Sequence, residues 1–161
     1  MKSKILLKIS SSDDYNLYNG EYDGVYFSNP QTYLENIENK EVFIDLCSLS
    51  PAESLEIAKK TPYCTTFIVD DIIKAVFVKS VNQNAKISYY LDGYKEELLP
   101  FLKANDFNVT IKYTALAPER VDKFHQLDIK VNGATLSRLD EVDVLRFYKT
   151  DYITIIPKIK P

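Results

Sequence analysis

The chain has 161 residues, of which 45% are hydrophobic and 27% are charged, and its formal net charge is −3. This composition is typical of a globular protein, and the length suits one α/β domain spanning residues 1–161. No apolar run reaches the length of a membrane span, and the first ten residues lack the apolar core of a secretory signal. We therefore expect a cytoplasmic protein with no membrane partner.

Charge is unevenly distributed along the chain. Between Ile9 and Ala58 there are ten acidic residues and one basic residue, Lys40. The remaining charges are mixed, and no basic cluster or arginine stripe marks a face for nucleic acid. We expect no nucleic-acid partner, because the acidic first third would repel phosphate backbones.

Eight segments rich in β-branched and aromatic residues are predicted to be strands. In chain order they are Lys4–Ile9, Val25–Ser28, Glu41–Leu46, Thr65–Asp70, Lys86–Leu91, Phe107–Tyr113, Asp128–Val131 and Tyr152–Ile156. From the third strand onward the starts recur every 21 to 24 residues, which is about one strand, one short helix and two tight connections. The stretch Val131–Ala134 contains Asn132–Gly133 and is predicted to turn.

Helix-start signals separate these strands. Ser50–Glu53 combines a capping serine, a proline at the first helical position and a glutamate three residues after the cap. Asn29–Pro30 and Ala117–Pro118 open two further segments with apolar residues on one face. Pro100 is awkward inside the helix predicted over Lys95–Ala104, because it removes a backbone donor there.

Strands that alternate with helices predict a parallel sheet. Our prediction is an α/β fold with a predominantly parallel, open sheet of five to seven strands and helices on both faces. The alternative is a compact closed βα barrel, which eight strands favour but which usually needs a longer chain.

Aspartates follow three successive predicted strands. Asp45 ends the third strand, Asp70 and Asp71 follow the fourth, and Asp92 follows the fifth. The carboxyl ends of parallel strands share one edge, where α/β proteins usually carry their sites. These four carboxylates are candidate ligands for Mg²⁺ or Mn²⁺, the only cofactors that the sequence suggests. The competing interpretation is that they cap helices.

The segment from Asp13 to Tyr26 is the second candidate site. Tyr15, Tyr18 and Tyr22 lie there among acidic residues. Tyrosine is enriched in protein interfaces, so these three residues are candidates for binding a protein partner. The alternative is that they cover one end of the sheet.

Several familiar chemistries find no support. Four glycines are too few for the usual phosphate-binding loops. Cys47 and Cys64 are predicted at opposite edges of the sheet, so we expect two free thiols and no disulfide. His125, the only histidine, is predicted to be structural.

Two functions follow from these observations. The first is a non-catalytic cytoplasmic adaptor that uses the tyrosine-rich segment, and its basis is mainly the missing catalytic motifs. The alternative is a divalent-metal enzyme that acts on a phosphorylated substrate through Asp45, Asp70, Asp71 and Asp92.

Overall fold

A computed structural model of the chain describes residues 3–11, 13–14, 21–30, 40–61, 65–134 and 142–157. Eight strands form a closed barrel in which each strand pairs in parallel with the next. They are β1 (Lys4–Ile9), β2 (Gly24–Phe27), β3 (Glu41–Asp45), β4 (Thr66–Val69), β5 (Lys86–Leu91), β6 (Asn108–Lys112), β7 (Val131–Ala134) and β8 (Tyr152–Ile155). The barrel closes where β8 pairs with β1, with Lys4 opposite Tyr152 and Leu7 opposite Ile155.

The predicted open sheet of five to seven strands is therefore wrong, and the barrel alternative is confirmed. The strands have only four to six residues, and the connecting helices are correspondingly short. Short elements allow a closed barrel of eight strands to fit a chain well below the usual barrel length. The length of the chain was thus a poor argument against closure.

Helices follow the strands around the outside of the barrel. In the described residues they are α1 (Pro51–Lys60), α2 (Ile72–Val81), α3 (Leu99–Ala104), α4 (Pro118–Gln126) and α5 (Val142–Leu145). Ser50 caps α1 with the predicted capping box. Pro100 is tolerated because it falls in the first turn of α3, where its missing N–H has no helical partner. None of the described helices is long and apolar enough to cross a membrane.

Three further predictions differ from the structure or fall outside the described residues. The turn predicted at Val131–Ala134 is strand β7, and the strand predicted at Asp128–Val131 begins only at Val131. Asp128 has a φ of 58°, which is incompatible with a strand. The helix predicted after Pro30 falls on residues 31–39, outside the described residues.

Side chains on the outer faces of the strands form the main core against the helices. This layer includes Leu7, Ile9, Val25, Phe27, Ile44, Phe67, Val69, Val109, Ile111 and Ile153. Because strand side chains alternate, the residues between them point into the lumen of the barrel. A separate apolar cluster fills part of the lumen and contains Leu6, Tyr26, Phe43, Ile68 and Tyr152.

The lumen is polar on the side formed by β5 to β8. Ser88, Thr110, Asn132 and Thr154 are all buried there. Their side chains form a chain of hydrogen bonds: Ser88 Oγ lies 2.6 Å from Thr110 Oγ1, Asn132 Nδ2 donates to Thr110 Oγ1 at 3.4 Å, and Thr154 Oγ1 donates to Asn132 Oδ1 at 2.8 Å. We call these four residues the lumen network. It satisfies polar groups that would otherwise be costly to bury.

Candidate active site

The ends of β3, β4 and β5 bring three of the predicted aspartates to the carboxyl edge of the barrel. Asp45 is the last residue of β3, while Asp70 and Asp92 directly follow β4 and β5. This edge is where barrels of this architecture carry their active sites. The sequence therefore correctly predicts that these three aspartates share the carboxyl edge, although it predicts an open sheet instead of a closed barrel.

Asp45 is held in place through both of its oxygens. The Tyr26 hydroxyl donates to Asp45 Oδ2 at 2.9 Å, and the Cys47 backbone N–H donates to Oδ1 at 2.9 Å. Burial raises the pKa of Tyr26 well above its usual value, and the Asp45 carboxylate raises it further. Tyr26 therefore remains a protonated donor, and the half-buried Asp45 carboxylate has a defined orientation.

Cys47 lies beside this carboxylate and packs against the apolar lumen cluster. It is a free thiol, and Cys64 lies outside the described residues. Burial raises the pKa of Cys47 far above its usual value, and the charge of Asp45 adds to the effect. Since the thiolate is the nucleophilic form, Cys47 is not an activated nucleophile at neutral pH.

Lys74 on α2 is a functional candidate at this edge that the sequence analysis missed. It is only 7% exposed. Its Nζ donates to Asp70 Oδ1 at 2.8 Å, to the Cys47 carbonyl at 3.0 Å and to the Leu46 carbonyl at 3.2 Å. All three ammonium protons thus have acceptors, and α2 is tied to the end of β3. The available signal was a lysine inside the apolar run from Ile72 to Val78, four residues after Asp70.

Asp71 and Asp92 have other roles. Asp71 Oδ1 accepts the Ile73 N–H at 2.7 Å, so Asp71 caps α2, as the competing interpretation proposed. The Asp92 side chain is 86% exposed and lies 3.9 Å from Lys112 Nζ. In the part of the chain that the structure describes, no three His, Cys, Asp or Glu side chains are grouped to hold a metal. The described residues therefore assign no role to a metal, and binding of Mg²⁺ or Mn²⁺ stays a prediction.

Two further lysines reach the carboxyl edge from inside the barrel. Lys8 of β1 follows the lumen residue Leu6 by two positions, and Lys112 of β6 follows Thr110 in the same way. Both are half-buried, and no described carboxylate lies within 4.0 Å of Lys8. Tyr90 lies on β5, which pairs with β6, and burial, with a hydrogen bond to Asp92, raises its pKa to about 12.

The structure describes one of the three predicted partner-binding tyrosines. Tyr15 and Tyr18 lie outside the described residues. Tyr22 precedes β2 at the opposite, amino edge of the barrel, where it packs against the outer core and Lys40 Nζ lies 4.4 Å from its ring centroid. His125 also lies away from the carboxyl edge, in the last turn of α4, 2.8 Å from Asp151. That contact agrees with a structural role.

Several solved structures share this fold at low sequence identity. One is a phosphoribosyl anthranilate isomerase, which matches with a TM-score of 0.67 and 9% sequence identity. The match covers 98% of this chain and 92% of the isomerase. The isomerase was solved in complex with reduced 1-(o-carboxyphenylamino)-1-deoxyribulose 5-phosphate. A glycerol uptake operon antiterminator-related protein from Thermotoga maritima matches with a TM-score of 0.66, 16% identity and coverage of 96% and 95%. No family model matches the chain, and no curated protein matches its sequence.

A third match differs in length. A candidate glycerophosphodiester phosphodiesterase from Galdieria sulphuraria matches with a TM-score of 0.60 and 15% sequence identity. The match covers 75% of this chain but only 55% of that protein. At such identities these likenesses establish the fold alone. They nevertheless place the chain among barrels that include enzymes, so the prediction of a non-catalytic adaptor is wrong. That prediction relied on missing sequence motifs, which a barrel enzyme does not need because its site is assembled from separate strand ends.

Proposed function

We propose that the chain is an enzyme that acts on a phosphorylated small molecule at the carboxyl edge of its barrel. The observation that carries this proposal is the Asp45 carboxylate, which the Tyr26 hydroxyl and the Cys47 N–H hold at the mouth of the lumen. A carboxylate fixed at the usual catalytic edge is suited to general acid–base chemistry.

Asp45 would serve as the proton acceptor. Each carboxylate oxygen has two lone pairs, so the bonds from Tyr26 and Cys47 leave acceptor capacity on both oxygens. Those bonds also limit rotation of the carboxylate, which keeps a substrate proton and its acceptor aligned. Lys74 supports the arrangement by fixing the backbone immediately after Asp45 through the Leu46 and Cys47 carbonyls.

Lys8 and Lys112 would bind the phosphate group. Lysine binds phosphate as a compact positive charge, and these two side chains reach the carboxyl edge from separate strands. The contact between Lys112 and Asp92 is long and Asp92 is exposed, so its loss on phosphate binding costs little. The phosphorylated ligand of the matched isomerase supports this substrate class.

Binding of ribose 5-phosphate, with ribose as the reference, tests the phosphate site. Calorimetric titration should detect ribose 5-phosphate but not ribose. Lys8→Gln and Lys112→Gln should each weaken binding about tenfold or more, which corresponds to about 1.4 kcal/mol. Lys130→Gln is the matched control, because Lys130 is exposed and precedes β7 at the amino edge. Equal affinity in all three variants would exclude a phosphate site at the carboxyl edge.

Proton transfer can be tested separately from binding. A panel of sugar phosphates incubated with the protein in D₂O and followed by proton NMR would reveal exchange or conversion of C–H groups. Asp45→Asn should reduce the rate on any active compound by about 10²-fold or more. Asp122→Asn, an exposed aspartate on α4, should leave the rate unchanged. A fully active Asp45→Asn variant would remove Asp45 from the reaction.

A further inference from the structure

Helix α2 presents apolar side chains to solvent and buries a charged one. Five of its large apolar residues are more than one third exposed: Ile72 at 41%, Ile73 at 51%, Val76 at 60%, Phe77 at 37% and Val81 at 40%. Its buried residues are Lys74, Ala75 and Val78. A surface helix of a monomer normally has the reverse arrangement, with charged residues outward.

The exposed residues form a continuous surface, which we call the α2 patch: Ile72, Ile73, Val76, Phe77 and Val81. Ile73, Val76 and Phe77 have helical spacings of three and four residues, so they lie side by side on one face. Their combined exposed area is on the order of 400 Å², which is comparable to the largest, often functional, patch of a typical monomer. A stable dimer buries about 800 Å² per subunit, of which somewhat more than half is apolar. The α2 patch therefore supplies most of the apolar area that a dimer needs.

We propose that the α2 patch is the surface through which two copies of this chain associate about a two-fold axis, with their α2 helices antiparallel. A two-fold contact uses the same surface on both copies, so that surface must complement itself. The α2 helix meets this requirement, because Asp71 lies at its start and Lys79 in its last turn.

Antiparallel packing places opposite charges together. Asp71 of one copy would face Lys79 of the other at each end of the contact, and the two helix dipoles would oppose each other. Val76, near the middle of the helix, would lie close to the axis and face its own counterpart. Lys74 would stay buried in its own subunit, bound to Asp70 and two carbonyls. This proposal is independent of the proposed function.

Molar mass in solution tests the proposal, with one matched pair of variants. We expect the intact chain at about 100 μM to have twice the monomer mass of 18.5 kDa by light scattering or sedimentation. Val76→Glu should weaken association at least tenfold and yield the monomer mass. Val144→Glu is the control, because Val144 on α5 is equally exposed at 62%. Far-ultraviolet circular dichroism would verify that both variants are folded.

Three results would overturn the proposal: a monomeric intact chain, a Val76→Glu variant that remains dimeric, or a Val144→Glu variant that dissociates. A second measurement does not depend on the glutamate variants. Val76→Cys should give crosslinked dimers with a short bismaleimide, because the two thiols would meet at the axis. Val144→Cys should crosslink no more than the intact chain, which already contains Cys47 and Cys64. Equal crosslinking of the two cysteine variants would place the contact elsewhere.

Discussion

Replacing Thr110 with valine tests whether the lumen network stabilises the barrel. Thr110 is fully buried, and its hydroxyl bonds to Ser88 Oγ at 2.6 Å and accepts from Asn132 Nδ2 at 3.4 Å. Valine has nearly the same shape, so the variant removes the hydroxyl without leaving a cavity. Asn132 keeps its shorter bond from Thr154, whereas the buried hydroxyl of Ser88 loses its partner.

The magnitude follows from these contacts. A buried polar group left unpaired costs about 1–3 kcal/mol, and the loss of the long Asn132 bond adds less. The added methyl group offsets about 0.8 kcal/mol through apolar burial. We expect a net loss of about 1–2 kcal/mol, or about 2–8 °C in Tm at the usual 2–4 °C per kcal/mol for a chain of this size.

Thr65→Val is the matched control. Thr65 is also buried, but its hydroxyl has no hydrogen-bond partner among the described residues. The same substitution should therefore be neutral or stabilise the fold by about 1 kcal/mol. Thermal and urea unfolding of both variants would measure the difference. If Thr110→Val and Thr65→Val differed by less than about 0.5 kcal/mol, the lumen network would contribute nothing to stability.

Three further predictions test individual contacts by unfolding or titration. Lys74→Met should lower the free energy of unfolding by about 2 kcal/mol, because two backbone carbonyls lose a charged donor. Lys59→Met, at an exposed lysine, should change it by less than about 0.5 kcal/mol. Equal effects of the two variants would show that the Lys74 contacts do not stabilise the fold. Gly133→Ala should lower the free energy of unfolding by about 1–3 kcal/mol, because the added Cβ would lie 2.7 Å from the buried Tyr113 hydroxyl oxygen. Gly93→Ala should be tolerated, because no atom lies within 4 Å of its added Cβ. Similar stabilities of the two variants would show that the Tyr113 ring moves aside freely. The pKa of the Tyr90 phenol is raised to about 12 from a usual value of about 10, because the folded protein favours the protonated phenol. The stability that this group contributes is therefore complete below pH 10 and is lost as the pH rises through 12. An absorbance titration at 295 nm should therefore show that Tyr90→Phe removes one ionisation near pH 12. If the variant instead lost an ionisation near pH 10, the pKa of Tyr90 would not be raised.

The predictions from sequence that were correct concern local structure. Alternating β-branched and aromatic runs identified seven of the eight strands, with β7 the exception, and the Ser50–Glu53 pattern identified the start of α1. These features depend on residues close together in the chain, whose backbone preferences and caps act whatever the rest of the fold does. The same local logic placed Asp45, Asp70 and Asp92 at the carboxyl edge, because all parallel strands share that edge.

Closure of the barrel and the composition of its site depend on contacts between distant residues. Pairing of β1 with β8 joins Lys4 to Tyr152, and nothing in either strand distinguishes a barrel partner from a sheet edge. Burial of Lys74 depends on carbonyls at Leu46 and Cys47, which lie 28 and 27 residues away in the chain. A lysine in an apolar helix is ambiguous in sequence, because only the packed structure shows which acceptors lie within its reach. The sequence by itself thus determined the βα repeat and the edge that carries the polar residues, while the tertiary structure decided closure, the Asp45–Tyr26 contact and the exposure of the α2 patch.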